Sequence, residues 1–446
     1  MLNFLLNIIQ TPAIVLGLVA LIGLMLQGKN FAQVFSGTLK TSLGMLVVAA
    51  GSGLIVTEIL PFVSLFTEVF NLSGFATSSE AVVGAMQTAI PVVASTSSLI
   101  MAIGFLVNVA IARFSPLKYI FLTGHMMWIL SVTIAFLLYG GGFSDTIIVV
   151  VGSILQGALM VILPATAQPL VRKVTGSDNF AIAHLTTLGT VPAAYIGGLL
   201  GDKSKNAEDI KLPEALEFFK DTSVSVSIVM GIFYLVVVIM AGPEVVAAHA
   251  GSTNYVVYGL LKAMGFTAGI LVLLQGVRMF LGELVPAFKG ISDKLVPGAI
   301  PALDVPALFG FAPNSLMIGF VSAVIGMIVA MFATSVAFGN VPLVSIIGAF
   351  FTGGVAGILG NATGGTRGAI ISGFVYGFLL IFGTAFLFTL FDFAAYGVAG
   401  VGHDCIDIMV IMTIMKQPFI GIAVIAVAFI LLCLREAKYN KNKKVD

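Results

Sequence analysis

The chain has 446 residues, of which 59% are hydrophobic and only 9% are charged, and its formal net charge is +1. A soluble domain carries about 25% charged residues, so this composition excludes a soluble globular protein and indicates a polytopic membrane protein. The small net charge gives no reason to expect nucleic acid as a partner. Cys405 and Cys433 are too few for a disulfide scaffold or a cysteine metal cluster.

A membrane-spanning helix needs about 20 mainly apolar residues. Such segments recur along the whole chain, and the least regular of them is His184–Leu200, which is rich in Gly, Thr and Pro. We therefore predict eleven spans from the following candidates: Pro12–Leu26, Leu39–Ile59, Val92–Ala112, Ile120–Leu138, Thr146–Ile162, His184–Leu200, Val224–Ala241, Tyr255–Leu274, Leu316–Phe338, Val341–Leu359, Ala369–Phe391 and Phe419–Leu434.

Other segments are predicted to lie at the membrane surface. Pro61–Phe70 and Gly282–Ser292 are expected to be short interfacial helices, and the polar residues 202–221 to form a linker with an amphipathic helix. The C-terminus is predicted to be cytoplasmic because basic residues concentrate on that side of a membrane; an odd number of spans then places Met1 outside. The basic residues of the tail are Arg435, Lys438, Lys441, Lys443 and Lys444.

Two polar or proline-broken stretches interrupt the apolar chain, Gly74–Glu80 and Pro297–Asp304, and each ends in a carboxylate. Broken helices are tolerated at membrane depth only inside protein or beside a water-filled cavity. A carboxylate there is costly and indicates a functional site. The alternative is that both stretches are ordinary loops at the membrane surface.

The surroundings of the two stretches suggest an internal duplication. Glu58 precedes Glu80 by nearly the same interval that separates Glu283 from Asp304, and each earlier glutamate begins a Glu-x-x-Pro sequence. Two later pairs of similar segments, Leu122–His125 with Phe351–Gly354 and 144–152 with 365–373, keep nearly the same separation. Repeats with broken segments in matching positions indicate the substrate site of a transporter.

Four ionisable residues stand against apolar flanks: Glu80, His125, His184 and Asp304. Carboxylates accept hydrogen bonds and imidazoles both donate and accept them, so this set suits a polyhydroxylated ligand. Alternatively, each histidine is a core residue bonded to a backbone carbonyl, and Asp304 is a turn or cap residue. No local ligand spacing predicts a metal, and no cofactor is expected.

Three further features are interpreted as structural. Glu58 and Glu283 are expected to support the interfacial helices, with Arg278 as the partner of Glu283. The glycine-rich segment Gly360–Arg367 lacks the Lys-Ser/Thr order of a phosphate-binding loop. We interpret it as a tight turn at the membrane surface.

The chain resembles the membrane IIC permease subunits of the ascorbate family in the bacterial phosphoenolpyruvate-dependent sugar phosphotransferase system. The similar segments follow one collinear order over most of the sequence. They are Gln33–Thr41, Ala50–Gly53, Leu122–His125, Lys211–Pro213, Gln275–Phe280, Ala287–Ser292, Leu295–Ala299 and Phe311–Asn314.

The resemblance implies an all-α inverted-repeat transporter of eleven transmembrane helices, with two re-entrant hairpins near 72–90 and 296–313 and with scaffold and core domains. The repeats would cover residues 1–200 and 223–434, joined by the linker 201–222 and followed by the basic tail 435–446. It also implies a homodimer in the bacterial inner membrane that translocates a small sugar. A separate cytoplasmic IIB protein, supplied by IIA, would phosphorylate that sugar, so the chain itself would not be an enzyme.

The family's substrate contacts would fall on Ser79, Glu80, His125, Ile129, His184, Leu185 and Asp304. Ile129 and Leu185 stand where an ascorbate permease of this family has glutamines, and Glu80 stands where it has a tyrosine. A lost polar partner can change selectivity strongly, so L-ascorbate and a neutral pentose or pentitol are both candidate substrates. The expected architecture is also compatible with a proton-coupled secondary transporter. A third alternative is a membrane-embedded enzyme with two carboxylates and two histidines.

Overall fold

The computed structural model describes residues 12–70, 74–75, 79, 82–83, 86, 89–210, 222–294, 296–342, 344–345, 348–393, 395 and 405–442. The α-helices of these parts are α1 (Pro12–Leu26), α2 (Phe31–Phe70), α3 (Pro91–Phe114), α4 (Gly124–Gly140), α5 (Asp145–Thr175), α6 (Thr187–Leu200), α7 (Thr222–Ala250), α8 (Tyr255–Lys294), α9 (Pro313–Phe338), α10 (Gly354–Leu390), α11 (Ile406–Met415) and α12 (Pro418–Asn442). The strands are β1 (Gly74–Phe75), β2 (Tyr119–Phe121), β3 (Ala181–Ile182), β4 (Ile300–Leu303) and β5 (Val341–Pro342).

Within the described parts of the chain, seven helical segments are long and apolar enough to cross a membrane. They are Pro91–Phe114, Asp145–Thr175, Val226–Ala250, Tyr255–Val272, Pro313–Phe338, Ala349–Leu390 and Pro418–Asn442. Helix length and composition thus confirm a polytopic membrane protein. The total of eleven spans stays a prediction, because other apolar helices, such as α4 and α6, are shorter.

The interfacial helices predicted at Pro61–Phe70 and Gly282–Ser292 are not separate elements. They are the ends of α2 and α8, each of which is a continuous helix of 40 residues. A proline such as Pro61 is tolerated within a membrane helix where neighbouring groups satisfy the freed carbonyl. At about 1.5 Å per residue each helix is ~60 Å long, about twice the hydrocarbon thickness of a bilayer.

Helices α2 and α8 pack against each other in opposite directions, and two ion pairs join them. Lys40 Nζ lies 3.0 Å from Glu283 Oε1, and Lys262 Nζ lies 2.9 Å from Glu58 Oε2. The expected partner of Glu283 was therefore wrong: it is Lys40 rather than Arg278. Helices close in space but distant in sequence supply both bridges, which spacing along the chain does not reveal.

The helix packing divides into two groups. Helices α1, α2, α7 and α8 pack mainly against one another. A second group is built around α10, which packs against α6, α9 and α11, and around α5, which packs against α3, α4 and α12. The short strands belong to this second group, because their helix contacts are chiefly with α3, α5, α9 and α10.

A three-stranded parallel sheet lies inside the protein, in the order β2-β4-β3. The expectation of an all-α protein is therefore incomplete. Ile120–Leu138, expected as one span, begins in strand β2 and becomes helical only at Gly124. Val341–Leu359 likewise begins in β5, and a π-helical turn at Ala349–Gly353 precedes α10. A short buried strand and a buried helix are equally apolar, so hydropathy does not separate them.

Strand β4 contains a proline, Pro301, whose position agrees with the hydrogen-bond pattern of the sheet. Even-numbered residues of β4 bond to the β2 side, as in Ile300 N to Lys118 O at 2.7 Å, and Leu303 O accepts from Ala183 N at 2.7 Å on the β3 side. Pro301, an odd-numbered residue, therefore faces the β3 side. It precedes Ala302, which pairs with the first residue of β3, so its missing N–H costs no hydrogen bond of the sheet. A proline is compatible with a strand only at such a position.

The outer edge of β2 is closed by a side chain instead of a fourth strand. Asn108 of α3 is fully buried and donates to Tyr119 O at 3.1 Å, while it accepts from Phe121 N at 3.0 Å. Its amide thus occupies the place of a neighbouring peptide group. Unpaired backbone groups are costly in an apolar interior, so Asn108 allows a strand edge to exist there.

The two broken stretches form strands with different partners. In the first stretch Gly74 and Phe75 pair with Val341 and Pro342 in the parallel pair β1-β5. The second stretch contains β4, followed by Asp304 and a 3₁₀-helix over Val305–Phe311. Neither stretch is wholly an irregular loop.

The glycine-rich segment Gly360–Arg367 forms a kink within α10. Gly364 and Gly365 have non-helical backbone angles, with a φ of 64° at Gly365. The loop that follows α6 is bound at this kink: Asp202 N donates to Gly364 O at 2.8 Å and Thr366 N donates to Lys205 O at 2.7 Å. Because the loop already uses these groups, the segment does not form an open phosphate cradle.

The described part of the linker is anchored to the helix ends around it. Glu208 accepts hydrogen bonds from Asn314 N and Ser315 N, at 3.1 and 2.8 Å, and so caps the start of α9. Ser204 donates from its hydroxyl and its backbone N–H to Asp202, which lowers the pKa of that carboxyl. The predicted amphipathic helix falls on 211–221, outside the described residues.

Candidate functional site

Three of the predicted site residues follow the carboxyl ends of three hydrogen-bonded strands. His125 comes after β2, His184 after β3 and Asp304 after β4. Parallel strands all end at the same edge of a sheet, so the topology brings together residues that are far apart in the sequence. The ladder continues one residue beyond β2 and β3, through Leu122 N to Ala302 O at 2.9 Å and Ala183 N to Leu303 O at 2.7 Å.

The carboxylate of Asp304 lies between the two imidazoles. Its Oδ2 is 3.9 Å from His125 Nε2 and its Oδ1 is 3.9 Å from His184 Nε2, and the ring centroids of the histidines are 6.4 Å apart. Direct hydrogen bonds of nitrogen to oxygen are shorter than about 3.2 Å. Each separation is therefore too long for a direct hydrogen bond, but a ligand hydroxyl to one side of the pair could hydrogen-bond to both the carboxylate and an imidazole.

Asp304 also has a structural contact. Its Oδ1 accepts from Val305 N at 2.7 Å and caps the 3₁₀-helix that follows. The cap orients the carboxylate toward the histidines, so the expected alternatives of cap and ligand group are compatible. His184 is buried, whereas His125 and Asp304 are partly exposed, with side-chain exposures of 27% and 16%.

The cluster has the donor types of a metal site as well as those of a sugar site. One possible ligand atom from each of His125, His184 and Asp304 lies within 4.8 Å of the others. Imidazole nitrogen and carboxylate oxygen are common zinc ligands. The same atoms can instead hydrogen-bond to neighbouring hydroxyls of a sugar, and the two uses differ in their response to a chelator.

The remaining predicted site residues are less directly connected to the cluster of His125, His184 and Asp304. Ile129 lies one turn after His125 on the same face of α4, and both Ile129 and Leu185 are fully buried. Ser79 is buried as well, with an exposure of 1%, but the described contacts do not join it to the three-residue cluster. Glu80 lies outside the described residues.

Sequence reasoning missed a buried acid that contacts the chain beside His184, namely Asp407 of α11. It has no exposed surface and binds the chain next to His184: its N–H donates to Leu185 O at 3.2 Å and its Oδ1 accepts from Leu188 N at 2.7 Å. The signal was present in the sequence, since Asp407 stands in the apolar run Cys405–Val410. The rule that singled out Asp304, a carboxylate inside an apolar segment, would have found it.

A polytopic membrane fold with a polar cluster where its helices are interrupted is typical of transporters. Residues 7–405 match the family described as the sugar-specific permease component of the PTS system. The chain belongs to this family of transport components, which confirms the resemblance noted in the sequence.

A curated relative is the ascorbate-specific PTS system EIIC component of Mycoplasma pneumoniae. It is 30% identical over 430 residues, and the alignment covers 84% of this chain. The alignment covers 64% of the length of that relative. The ascorbate specificity in its name is a property of the relative.

We predict that Asp304→Asn weakens sugar binding but leaves the fold intact. The amide oxygen of the new side chain would still accept from Val305 N, so the cap is kept, while the charge between the imidazoles is removed. A hydrogen bond to a charged group contributes about 1.5–3 kcal/mol, so the dissociation constant should rise roughly ten- to a hundredfold. Titration of purified protein, followed by the fluorescence of Trp128, the only tryptophan, measures this change. Unchanged affinity would show that Asp304 is a cap alone.

We predict that the two histidines act as hydrogen-bonding groups without a metal. His125→Ala and His184→Ala should each strongly reduce sugar uptake, because each removes one of the two imidazoles that face Asp304. Treatment with a chelator should leave uptake unchanged. The exposed His249 of α7 provides the control, since His249→Ala should transport normally. Inhibition by the chelator that added zinc reverses would instead establish a metal site.

Proposed function

We propose that this chain is a IIC permease that binds a small sugar, L-ascorbate or a related pentose or pentitol, and moves it inward by alternating access. A separate cytoplasmic IIB protein, itself phosphorylated by IIA, then phosphorylates the sugar. The observation that carries the proposal is the cluster of His125, His184 and Asp304 in a chain that belongs to the permease family. The name of the Mycoplasma relative supports ascorbate as a candidate.

The proposed substrate contacts are Ser79, Glu80, His125, Ile129, His184, Leu185 and Asp304. The three polar groups of the cluster offer acceptors and donors for adjacent hydroxyls, and Ile129 and Leu185 supply an apolar wall. Burial of His184 and partial exposure of His125 and Asp304 are consistent with a site that opens on one side. Such a site suits a small polar ligand, because it hydrogen-bonds one face of the ligand and desolvates the other.

We further propose that residues 1–200 and 223–434 are inverted repeats, joined by the linker 201–222. The equal length of α2 and α8 supports this, as does the reciprocal pattern of their ion pairs: Lys40 near the start of α2 binds Glu283 in α8, and Lys262 near the start of α8 binds Glu58 in α2. A pseudo-two-fold axis between the two helices would generate the second bridge from the first.

The strands support the same symmetry. Strand β1 of the first half pairs with β5 of the second, and β4 of the second half pairs with β2 of the first. Each broken stretch thus crosses to the opposite half. Main-chain bonds then hold the sugar site as one unit, which forms part of the proposed core, while α1, α2, α7 and α8 form the proposed scaffold.

The proposed setting is the bacterial inner membrane, with the protein as a homodimer and the basic tail 435–446 in the cytoplasm. The scaffold would provide the dimer contact, and re-entrant hairpins near 72–90 and 296–313 would line the path of the sugar. A turn over residues 296–299, in which Ala299 N donates to Val296 O at 3.0 Å, leads into β4 and is the observation that favours the second hairpin.

Uptake into proteoliposomes tests the function. With phosphoenolpyruvate, the general phosphotransfer proteins that pass its phosphoryl group to IIA, and IIA and IIB enclosed, labelled L-ascorbate, xylose or xylitol should accumulate as the phosphorylated product; without the soluble proteins, no product should form. Accumulation driven by a proton gradient alone would overturn the proposal in favour of a secondary transporter. Conversion of the sugar without either energy source would indicate an enzyme.

We predict that the apolar pair Ile129 and Leu185 limits the affinity for ascorbate. A buried hydroxyl without a partner costs about 1–3 kcal/mol, so each missing amide should weaken binding roughly ten- to a hundredfold. Ile129→Gln combined with Leu185→Gln should therefore raise ascorbate affinity, and Glu80→Tyr should raise it further by removing a carboxylate that repels an anion.

Ligand binding to purified protein measures this effect, with ascorbate compared against a panel of pentoses and pentitols. Ile134→Gln is the control, since it places an amide in the same helix at a buried position that is not a proposed contact. Tight binding of ascorbate by the unmodified protein would contradict the argument and show that other residues supply the contacts.

A further inference from the structure

Asp407 is a buried carboxylate outside the cluster of His125, His184 and Asp304. It lies in the first turn of α11 and has no exposed surface. Burial of a carboxylate in an apolar interior is costly unless specific bonds offset the lost hydration. The contacts of this group therefore indicate what the residue does.

Those contacts are directed at one segment, the chain between His184 and α6. The N–H of Asp407 donates to Leu185 O at 3.2 Å, and its Oδ1 accepts from Leu188 N at 2.7 Å. Asp407 thus bonds to the residue before Thr186 and to the residue after Thr187. The carboxylate also lies near the N-termini of two helices, α6 and α11, where the helix dipoles favour a negative charge.

The other contacts of this segment complete its anchoring. Ala183 N is bound to Leu303 O, the residue before Asp304. The hydroxyl of Thr187 donates to His184 O at 3.2 Å, and Thr186 Oγ1 donates to the buried hydroxyl of Tyr376 at 2.9 Å. The backbone of His184 is therefore held by β4 before it and by α11, through Asp407, after it.

We propose that Asp407 is a positioning residue, which fixes the His184 imidazole at its distance from Asp304. The role requires the acceptor oxygen that receives Leu188 N–H. It rests on the proposed function only in so far as His184 binds the sugar. Binding groups must be held within about 0.5 Å of their productive geometry. Loss of the side-chain bond to Leu188 N would leave α11 joined to the segment only by the main-chain bond to Leu185 O and would let the segment shift.

The test compares Asp407→Ala, which removes the acceptor, with Asp407→Asn, which retains it. Thr384→Val is the matched control, because Thr384 is buried and its hydroxyl lies 3.6 Å from the sulfur of Met409 in α11. Met409 comes two residues after Asp407 and so projects from nearly the opposite face of that helix. A thermal unfolding curve for each variant establishes that it is folded.

The first readout needs no ligand. The chain has four histidines, so a spectrum of protein labelled with ¹³C at the imidazole ε1 carbon has few signals, which His→Gln variants assign. In Asp407→Ala the His184 signal should shift or broaden, while His249 stays unchanged. Asp407→Asn and Thr384→Val should leave the His184 signal in place.

The second readout is the affinity for L-ascorbate, or for the pentose or pentitol that the unmodified protein binds best. Asp407→Ala should weaken binding roughly tenfold or more, whereas Asp407→Asn and Thr384→Val should stay within about threefold. An unmodified protein that binds no sugar, together with a shifted His184 signal in Asp407→Ala, would overturn the proposed function but not the positioning role.

The positioning role itself is overturned if folded Asp407→Ala shows an unchanged His184 signal and unchanged affinity. If Asp407→Ala does not fold, the positioning role is tested with Asp407→Asn alone. A displaced His184 signal or a tenfold loss of affinity in that folded variant would contradict a role that depends on the acceptor oxygen alone.

Discussion

The structure depends on one constraint, that every break in a helix inside the membrane must find partners for its main-chain groups. The β2-β4-β3 sheet meets this requirement for three breaks at once, and Asn108 satisfies the edge that no strand covers. Because the strands are parallel, their carboxyl ends meet. The arrangement that satisfies the backbone is therefore also the arrangement that gathers three polar side chains.

Asp304 shows how closely fold and site are linked. The same oxygen that caps the 3₁₀-helix faces His184, and the other oxygen faces His125. Partial burial of a carboxylate costs free energy, and the N–H of Val305 together with two imidazoles offsets part of that cost. The separations of 3.9 Å leave this compensation incomplete. In the proposed site, a ligand with hydroxyl groups would complete it without requiring a net charge on the ligand.

The sequence indicated the class of protein, the broken stretch at 297–304 and the members of the cluster, because these depend on composition and on single residues in apolar surroundings. It did not indicate the strands. Tyr119–Phe121 is as apolar as the helix that follows, and only contacts with residues almost two hundred positions away distinguish it. The partners of Glu58 and Glu283 were hidden for the same reason. Asp407 differs from these, since a carboxylate in an apolar run is visible in the sequence alone.

The backbone and the side chains of the site contribute separately to recognition. Sheet pairing places residues 125, 184 and 304 whatever side chains line the rest of the pocket, so a common fold can present the same polar cluster to different sugars. The buried positions 129 and 185 are not required for that pairing, and a change there would alter the proposed apolar wall without altering the cluster. Function resides in such sites and not in the fold as a whole. The sheet therefore accounts for the polar cluster, whereas in the proposed site the choice of sugar would depend on a few residues around it.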